Sequence, residues 1–386
     1  MCLSYYGLDP VYYYTPPNFA FDAMLKLTGI EIDLVYNQEM YEMIEAGLRG
    51  GMTQTTCKKV EANNKYMGSD YDSSKESSYI NYFDANNLYG LSMIQKLPYR
   101  NLKWDDKITE EDIINYDNGR TGYILEVDLE YPKELHDLHN DYPLGPEVMN
   151  VKSNMLSEKQ VEIYKLINGS KEPKDEKTNK LILNLHDKNK YVVHIGTLQF
   201  YLKHGLKLKK IHRAIKFEQK EILKPYIEFN TEKRKNARND FEKDIFKLLN
   251  NAVFGKAMED KRKHLDFEIV SDEKRFMKCV NNPSFKRSHI INEDLVGVEK
   301  QKPKLKLDKP IFIGMSILDL SKQHMYKFYY DVMKPKYGDN IRMVYTDTDS
   351  FVFHTKTDDI YQDLKEINDE MDFSGYDKKP SLLRCN

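Results

Sequence analysis

Three short segments carry residue types that suit chemistry on a phosphate group. They are residues 84–90 (DANNLYG), 247–255 (KLLNNAVFG) and 345–350 (YTDTDS), in that order along the chain. The first and third supply carboxylates that can hold two divalent cations, and the second supplies a lysine and an asparagine that suit a triphosphate. Each segment alone also fits an ordinary surface element, but no ordinary element explains all three together. The set therefore predicts a site for metal-assisted chemistry on a nucleotide.

The second segment is predicted to lie on a helix over residues 240–255 with two different faces. The predicted packing face holds five apolar residues: Phe241, Ile245, Leu248, Leu249 and Ala252. Lys247, Asn251 and Phe254, at steps of four and three, fall on the other side. A cation meets phosphate, while an amide and a ring suit sugar and base. This second face is therefore predicted to bind a nucleotide, the alternative being an amphipathic surface helix without a ligand.

The two acidic segments are predicted to follow strands. Residues 78–83 (SYINYF) have the β-branched and aromatic content of a strand that ends at Asp84. The strand-like runs on either side of the third segment predict a hairpin whose turn holds Asp347 and Asp349. Two carboxylates so close together are costly without a cation beside them. A metal site is thus one interpretation of the turn, and a solvated acidic turn is the other.

Composition limits the class of protein. With 386 residues, 40% hydrophobic and 12% aromatic, the chain can bury a core spread over two or three subdomains. No apolar run approaches the ~18 residues of a membrane span, and the N-terminus lacks a signal peptide. We therefore expect a soluble intracellular protein with no membrane partner, its compartment unknown. The four cysteines form no C-x-x-C pair, so neither a zinc site nor a disulfide framework is predicted.

The charge distribution says more than the formal net charge of −2. Residues 203–220 and 256–263 are locally basic, whereas residues 105–118 and 357–372 are acidic. Such clustering permits a surface that follows a phosphate backbone on a nearly neutral protein. The alternative for each basic run is a solvated face with no ligand.

The remaining pattern predicts a mixed α/β (α+β) fold. Helices are predicted over residues 19–27, 37–48 and 198–204, strands over 120–131 and 191–195, and loops over 62–78 and 169–180. Residues 100–200 leave room for an inserted subdomain between the first two segments.

The three segments together resemble the motifs of family B DNA polymerases. The resemblance is to the protein-primed branch found in organellar linear plasmids, viruses and Polinton-type transposons. The first palm motif of that family is D-x-x-S-L-Y-P, and Asp84, Leu88 and Tyr89 match it. Asn87 stands in place of Ser, and Gly90 in place of Pro.

The other two motifs agree in order and spacing. In the fingers motif, K-x-x-x-N-S-x-Y-G, Lys247, Asn251 and Gly255 match, while Ala252 replaces Ser and Phe254 replaces Tyr. The second palm motif, Y-x-D-T-D-S, is matched in full by Tyr345, Asp347, Thr348, Asp349 and Ser350.

The resemblance implies a right-hand polymerase, with an antiparallel palm sheet and helical fingers, that adds dNTPs to a DNA primer–template. It implies Asp84 and Asp349 as ligands of two Mg²⁺ ions, with Mn²⁺ as a substitute, and Asp347 beside them. By the same resemblance, Tyr345 and Ser350 would lie at the primer. A terminal protein is a further implied partner.

For the incoming nucleotide, the resemblance implies Lys247 at the phosphates, Tyr89 under the sugar as a steric gate, and Asn251 and Phe254 nearby. Backbone N–H groups of Leu88 and Gly90 would also meet the triphosphate. A second cation of the phosphate site would come from the preceding helix, with three candidates: Arg234, Lys235 and Arg238. The template would meet the run Arg49, Gly50 and Gly51, where relatives have a Y-x-G-G element.

The resemblance also sets expected boundaries. They are 1–77 before the palm, 78–100 palm, 101–215 an inserted subdomain like the terminal-protein region, 216–264 fingers, 265–310 a second insertion, and 311–386 palm. The 83 residues before Asp84 are too few for the exonuclease of the branch, and no K-x-Y thumb motif follows Ser350. We therefore expect a palm and fingers piece without proofreading. The alternative function is an inactive remnant that only binds DNA, nucleotide or a partner.

Overall fold

Antiparallel sheets joined and covered by helices make up the computed structural model, which describes residues 2–302 and 304–372. Its strands are β1 (Thr53–Thr55), β2 (Ser78–Asp84), β3 (Leu97–Trp104), β4 (Thr121–Glu130), β5 (Glu147–Asn150), β6 (Asn179–Ile182), β7 (Lys188–His194), β8 (Lys207–Lys220), β9 (Asp266–Val270), β10 (Phe285–Asn292), β11 (Leu295–Lys300), β12 (Ile341–Asp347) and β13 (Ser350–Lys356). The predicted mixed α/β class is confirmed.

The α-helices alternate with these strands. They are α1 (Cys2–Tyr6), α2 (Pro16–Thr28), α3 (Gln38–Ala46), α4 (Leu88–Met93), α5 (Glu110–Ile114), α6 (His136–His139), α7 (Glu158–Ile167), α8 (Ile195–Lys203), α9 (Lys224–Lys235), α10 (Asp240–Ala257), α11 (Glu273–Val280), α12 (Ile311–Lys327), α13 (Lys334–Tyr337) and α14 (Ile360–Glu366). The predicted helices over 19–27, 37–48 and 198–204 correspond to α2, α3 and α8, and the predicted strands to β4 and β7. Within the described residues, no helix is long and apolar enough to cross a membrane.

The sheet that carries the acidic segments has the order β1-β12-β13-β2, with every neighbouring pair antiparallel. Side chains alternate between its two faces. Met343, Phe351 and Phe353 are buried on one face, while Tyr82 on the other is 63% exposed. One face is therefore covered by the protein, and the other is open to a ligand.

A long helical run covers the closed face. Helix α12 continues into a π-helical turn, Phe328–Met333, and then into α13. Rings of the π turn pack on the sheet: Phe328 stacks on Phe351 at 6.2 Å, and Tyr329 on Phe353 at 5.9 Å between centroids. These contacts bury large apolar area, which is the main stabilising term in folding. They hold the sheet rigidly at the end where the acidic turn lies.

A second sheet, β3-β8-β4-β7, spans residues 97–220. Its first strand along the chain, β3, begins before the predicted inserted subdomain of residues 101–215, and its last, β8, ends after it. The first basic run, residues 203–220, lies largely on strand β8 of this sheet, where its cations pair with carboxylates. Arg213 pairs with Glu126 at 2.7 Å, and His212 lies 2.8 Å from Asp128 on the adjacent strand. Other members of the run also meet carboxylates: Lys203, Lys207, Lys209 and Lys216.

The second basic run is engaged in the same way. Lys256 pairs with Glu259 at 2.7 Å, and the Arg262 guanidinium meets Glu45 at 3.1 Å. Cross-strand and i,i+3 pairs of this kind stabilise local structure modestly. The two basic runs thus form intramolecular ion pairs, which removes the main argument for a phosphate-following surface there.

The remaining sheets are small. Strands β10-β11-β9 form one, packed on α11, and β5 with β6 forms the other. Cys2, Cys57 and Cys279 are free thiols, as expected, and Cys385 lies outside the described residues.

Candidate active site

The two acidic segments meet at one end of the first sheet. Strand β13 lies between β12 and β2, and Ser350 is paired with Asp84 on one side and with Asp347 on the other. The Ala85 N–H also donates to the Asp349 carbonyl at 2.7 Å. Directly paired residues share a face, so Asp84 and Asp347 flank Ser350 on the open face. Two strand spacings separate them, about 10 Å.

The turn between β12 and β13 holds its two carboxylates in different surroundings. Thr348 is left-handed, with φ of 57°, and the Asp349 N–H donates to the Asp347 carbonyl at 2.6 Å. The Asp347 carboxylate accepts from the Thr53 hydroxyl at 2.8 Å and from the Tyr345 hydroxyl at 3.3 Å. Asp347 is therefore already engaged by neighbouring hydroxyls, and Asp349 is the carboxylate associated with Asp84.

The electrostatics of the pair favour a cation. Burial raises the pKa of Asp349 above its ordinary value, and the nearby carboxylates of Asp84 and Asp347 raise it further. The Asp84 carboxylate accepts a hydrogen bond from Tyr82 at 2.7 Å. Like charges held together resist ionisation until a positive charge lies beside them. The pair is thus a place where bound metal would relieve repulsion.

The carboxylates of the site are suitable donors for the expected metal. Among the described residues, no three His, Cys, Asp or Glu side chains cluster as a ready metal site. Mg²⁺ commonly binds through one or two carboxylates and completes its shell with water and substrate phosphates. Asp84 and Asp349 are hard oxygen donors that fit this incomplete type of site. Such a site would bind metal firmly only with the nucleotide present.

The first and second segments also meet. The ring of Tyr89, on α4, stacks on Phe254 of α10, with centroids 4.5 Å apart and planes 20° from parallel. The pKa of Tyr89 is raised by burial and then by the negative charge of Asp349. Tyr89 therefore lies near Asp349 and against helix α10, which brings the three segments into one region.

Helix α4 is shaped by the chain just after Asp84. Asn87, at its N-terminus, is left-handed with φ of 55°. A Cβ on Gly90 would lie 1.9 Å from the Asn87 side-chain amide nitrogen, so a larger residue would force the Asn87 side chain to move. Leu88 is buried and anchors the helix. The sequence identified Gly90 as a departure from the family motif and as a candidate contact of the triphosphate, but not its packing against Asn87.

Lys247 and Asn251 are exposed on α10, on the side that also carries Phe254. Lys247 forms no ion pair in the part of the chain that the structure describes, in contrast to the basic runs. Arg234, Lys235 and Arg238 lie at the end of α9 and in the following link. No contact in the structure selects one of these three.

The predicted packing face of α10 is wrong in part. Phe241 is 72% exposed, and Leu248 is exposed as well. The observed buried stripe is Phe246, Leu249, Asn250, Ala252, Val253 and Ala257. Helix α10 packs against α2 and α9, which turns the stripe by about one residue relative to the prediction.

The sequence did not predict a buried series of hydrogen bonds between polar side chains. The Tyr6 hydroxyl donates to the Asn230 side chain at 2.5 Å, and the Asn230 amide donates to Asn250 at 2.8 Å. These bonds join α1, α9 and α10, and such networks fix a unique packing when satisfied. The pair of adjacent asparagines in an apolar helix was the available signal, with Asn250 facing inward and Asn251 outward.

The segment before β1 does not present its arginine to solvent. The Arg49 side chain is buried, and its guanidinium lies 3.8 Å from the Tyr191 ring centroid. The prediction that Arg49 contacts a template is therefore corrected, because its charge faces inward. Gly50 is exposed with open space around it, whereas a Cβ on Gly51 would meet Thr348.

Of the two residues predicted to lie at the primer, Ser350 is buried, and its hydroxyl donates to the Asp347 carbonyl at 3.3 Å. This leaves Tyr345 as the accessible primer candidate.

Comparison with known proteins identifies the family of the chain. A family model described as DNA polymerase type B, organellar and viral, matches residues 5–335. The chain belongs to this family. The match to the type B polymerase family covers the first two of the three segments, residues 84–90 and 247–255. The third segment lies beyond it and rests on its own motif and on the geometry above.

The fold of the type B polymerase chain is similar to solved structures of Phi29 DNA polymerase. For the complex with primer-template DNA, the TM-score is 0.51 at 15% identity, over 92% of this chain and 50% of that one. The ternary complex with incoming nucleotide substrates gives 0.49 and 15%, over 91% and 49%. The chain thus spans about half the length of Phi29 polymerase. A comparison with curated proteins found no match.

Proposed function

We propose that this chain carries the palm and fingers of a DNA-directed DNA polymerase. It would transfer dNTPs to a primer 3′-hydroxyl on a template, with two Mg²⁺ or Mn²⁺ ions. One observation carries the proposal: the Asp84 strand and the Asp349 turn meet at one end of the sheet, and Tyr89, which stacks on Phe254, lies near enough to Asp349 for its charge to act on the Tyr89 hydroxyl. A carboxylate pair beside a sugar-sized platform and an exposed cation suits nucleotidyl transfer.

Each side chain has a distinct role in this proposal. Asp84 and Asp349 hold the ions, and Asp347 supports the turn through Thr53 and Tyr345. When bound, the ions supply the charge that activates the 3′-hydroxyl and stabilises the leaving pyrophosphate. The protein contributes the fixed positions of the carboxylates, which is the larger part of catalysis by preorganisation.

Lys247 binds the triphosphate, helped by one of the cations at the end of α9. The Tyr89 ring lies under the sugar and blocks a 2′-hydroxyl, and the stack with Phe254 keeps that ring in place. Asn251, one turn before Phe254, lies beside the nucleotide, and the N–H groups of Leu88 and Gly90 face its phosphates. Tyr345 contacts the primer end, and the backbone at Gly50 contacts the template.

The family suggests a replication system of viral, organellar or mobile-element origin. In the proposed division, strands β1, β2, β12 and β13 form the palm, and α9 and α10 the fingers. Priming by a terminal protein would involve residues 101–215. These assignments rest on family membership and on the placement of the strands.

Single-nucleotide extension of a labelled primer–template tests the proposal. The purified chain should extend the primer with Mg²⁺ or Mn²⁺, and Asp349→Ala should lose extension while its thermal unfolding temperature stays within a few degrees. Asp358→Ala, which removes an acidic side chain that lies beyond the turn, is the matched control and should retain extension. Absence of extension by the wild-type chain, or equal extension by Asp349→Ala, would contradict the proposal.

A further inference from the structure

Three ionisable side chains are buried together away from the open face. Arg49 is 6% exposed, Lys322 is 5% exposed and Asp319 is 3% exposed. None of the three lies within 4.0 Å of an opposite charge in the described part of the chain. Burying charges without a direct ion pair costs free energy, although the cations of Lys322 and Arg49 act on the Asp319 carboxylate from a longer distance. The hydrogen bonds of the two cations show what their burial achieves.

Lys322 binds main-chain oxygens. Its ammonium group donates to the Arg49 carbonyl at 2.6 Å and to the Leu318 carbonyl at 3.2 Å. The first bond joins helix α12 to the irregular segment of residues 47–53, where carbonyls lack helical partners. A charged donor makes such a bond about twice as strong as a neutral one. Lys322 thus anchors the segment from the side of α12.

Arg49 anchors the same segment from the other side. Its guanidinium donates to the Val192 carbonyl at 2.7 Å and lies over the Tyr191 ring. Both partners belong to β7, an edge strand of the second sheet. Space is tight there, since a Cβ on Gly47 would lie 3.0 Å from the Val192 side chain. Residue 49 is thereby fixed between α12 and β7.

From this anchor the segment runs straight to the acidic turn. A Cβ on Gly51 would lie 2.2 Å from the Thr348 hydroxyl oxygen, so this segment and the acidic turn are in direct contact. The Met52 carbonyl accepts from the Thr348 N–H at 2.7 Å. Thr53 then pairs with Asp347 in the sheet and donates to its carboxylate at 2.8 Å. Three consecutive residues of the segment therefore define the left-handed turn.

We infer that Lys322 and Arg49 are positioning residues for the catalytic turn, acting through the main chain of residues 49–53. The inference rests on the proposed function, because it concerns the same carboxylates. It is a mechanical role, because both cations bind main-chain carbonyls and reach the turn through the main chain of residues 49–53. Arg49 thus gains a role in place of the predicted template contact.

Hydrogen–deuterium exchange of the full chain tests the inference independently of activity. Lys322→Met should speed exchange about 10-fold in peptides covering 47–53 and 345–350, with β3 and β8 unchanged, because the anchor of the segment is lost. Lys322→Arg, which keeps a charged donor, should restore protection. Lys327→Met, an exposed lysine on the same helix, should behave as wild type.

Kinetics add a second readout. With saturating Mn²⁺, Lys322→Met should lower kcat about 10-fold and leave the KM for dNTP within about twofold, since the turn and not the fingers is displaced. If Lys322→Met does not fold, Lys322→Gln takes its place with the same expectations. Failure of the wild-type chain to extend a primer would contradict the proposed function and leave the exchange test standing. Unchanged exchange at 345–350 in the folded variant would overturn the positioning role.

Discussion

Replacing Gly51 by alanine should disturb the acidic turn by a small and definable amount. The added Cβ would lie 2.2 Å from Oγ1, 2.6 Å from Cγ2 and 2.8 Å from Cβ of Thr348. Rotation of the threonine side chain can move Oγ1 and Cγ2 but leaves Cβ where it is. The two backbones must therefore separate by about 0.6 Å to reach the 3.4 Å of ordinary contact.

Overpacking of this kind costs ~1–3 kcal/mol, and a displacement near 1 Å at a catalytic group costs up to ~100-fold in rate. We therefore expect Gly51→Ala to lower kcat about 10-fold and to weaken binding of Mn²⁺ with dNTP measured by titration calorimetry without DNA. The DNA-free assay separates this effect from any contact of Gly51 with a template.

Two further variants make the experiment decisive. Gly196→Ala adds the same methyl group where the nearest atom is 3.5 Å away, so it should match wild type. Thr348→Gly removes the clashing Cβ and suits φ of 57°, so the double variant Gly51→Ala, Thr348→Gly should bind Mn²⁺ and dNTP better than Gly51→Ala alone. Equal behaviour of Gly51→Ala and Gly196→Ala would refute the reasoning.

Three other predictions concern single side chains. Because the folded-state pKa of Asp349 is raised, its ionised form weakens folding at neutral pH. Asp349→Asn should then raise stability by ~0.5–2 kcal/mol at pH 7 without divalent metal, and this gain should shrink as pH falls through the folded-state pKa, as followed by thermal unfolding. Lys247→Ala should raise the KM for dNTP about 10-fold or more, because a charged hydrogen bond to the triphosphate is lost. The control variant Lys243→Ala, one helical turn earlier, should leave this KM unchanged. Equal KM values for the two variants would exclude Lys247 from the phosphate site. Tyr89→Val should improve ribonucleotide use relative to dNTP in primer extension, and unchanged discrimination would remove Tyr89 from the sugar contact.

The sequence was sufficient to predict those elements whose structure depends on local residue pattern. Strand β2 ending at Asp84, the hairpin around Asp349 and the helix bearing Lys247 follow from alternation, turn residues and 3.6-residue periodicity. Motif order then implied that the three segments converge, and the contact of Tyr89 with Phe254 is consistent with that.

Long-range partners could not be predicted in this way. The buried state of Arg49 depends on β7, which lies over 140 residues later in the chain, and no local pattern marks an arginine as inward-facing. The rotated stripe of α10 reflects packing on α2 and α9. The basic runs looked like ligand surfaces because their carboxylate partners, such as Glu126 for Arg213, lie on other strands.

The most direct test of the central claim is a crystal structure of the chain grown with Mn²⁺ and a non-hydrolysable dNTP. We expect anomalous density for Mn²⁺ in contact with the carboxylates of both Asp84 and Asp349, with the triphosphate towards Lys247 and the sugar on Tyr89. Nucleotide bound elsewhere, or Mn²⁺ that contacts neither carboxylate, would contradict the claim that the three segments form one nucleotidyl-transfer site.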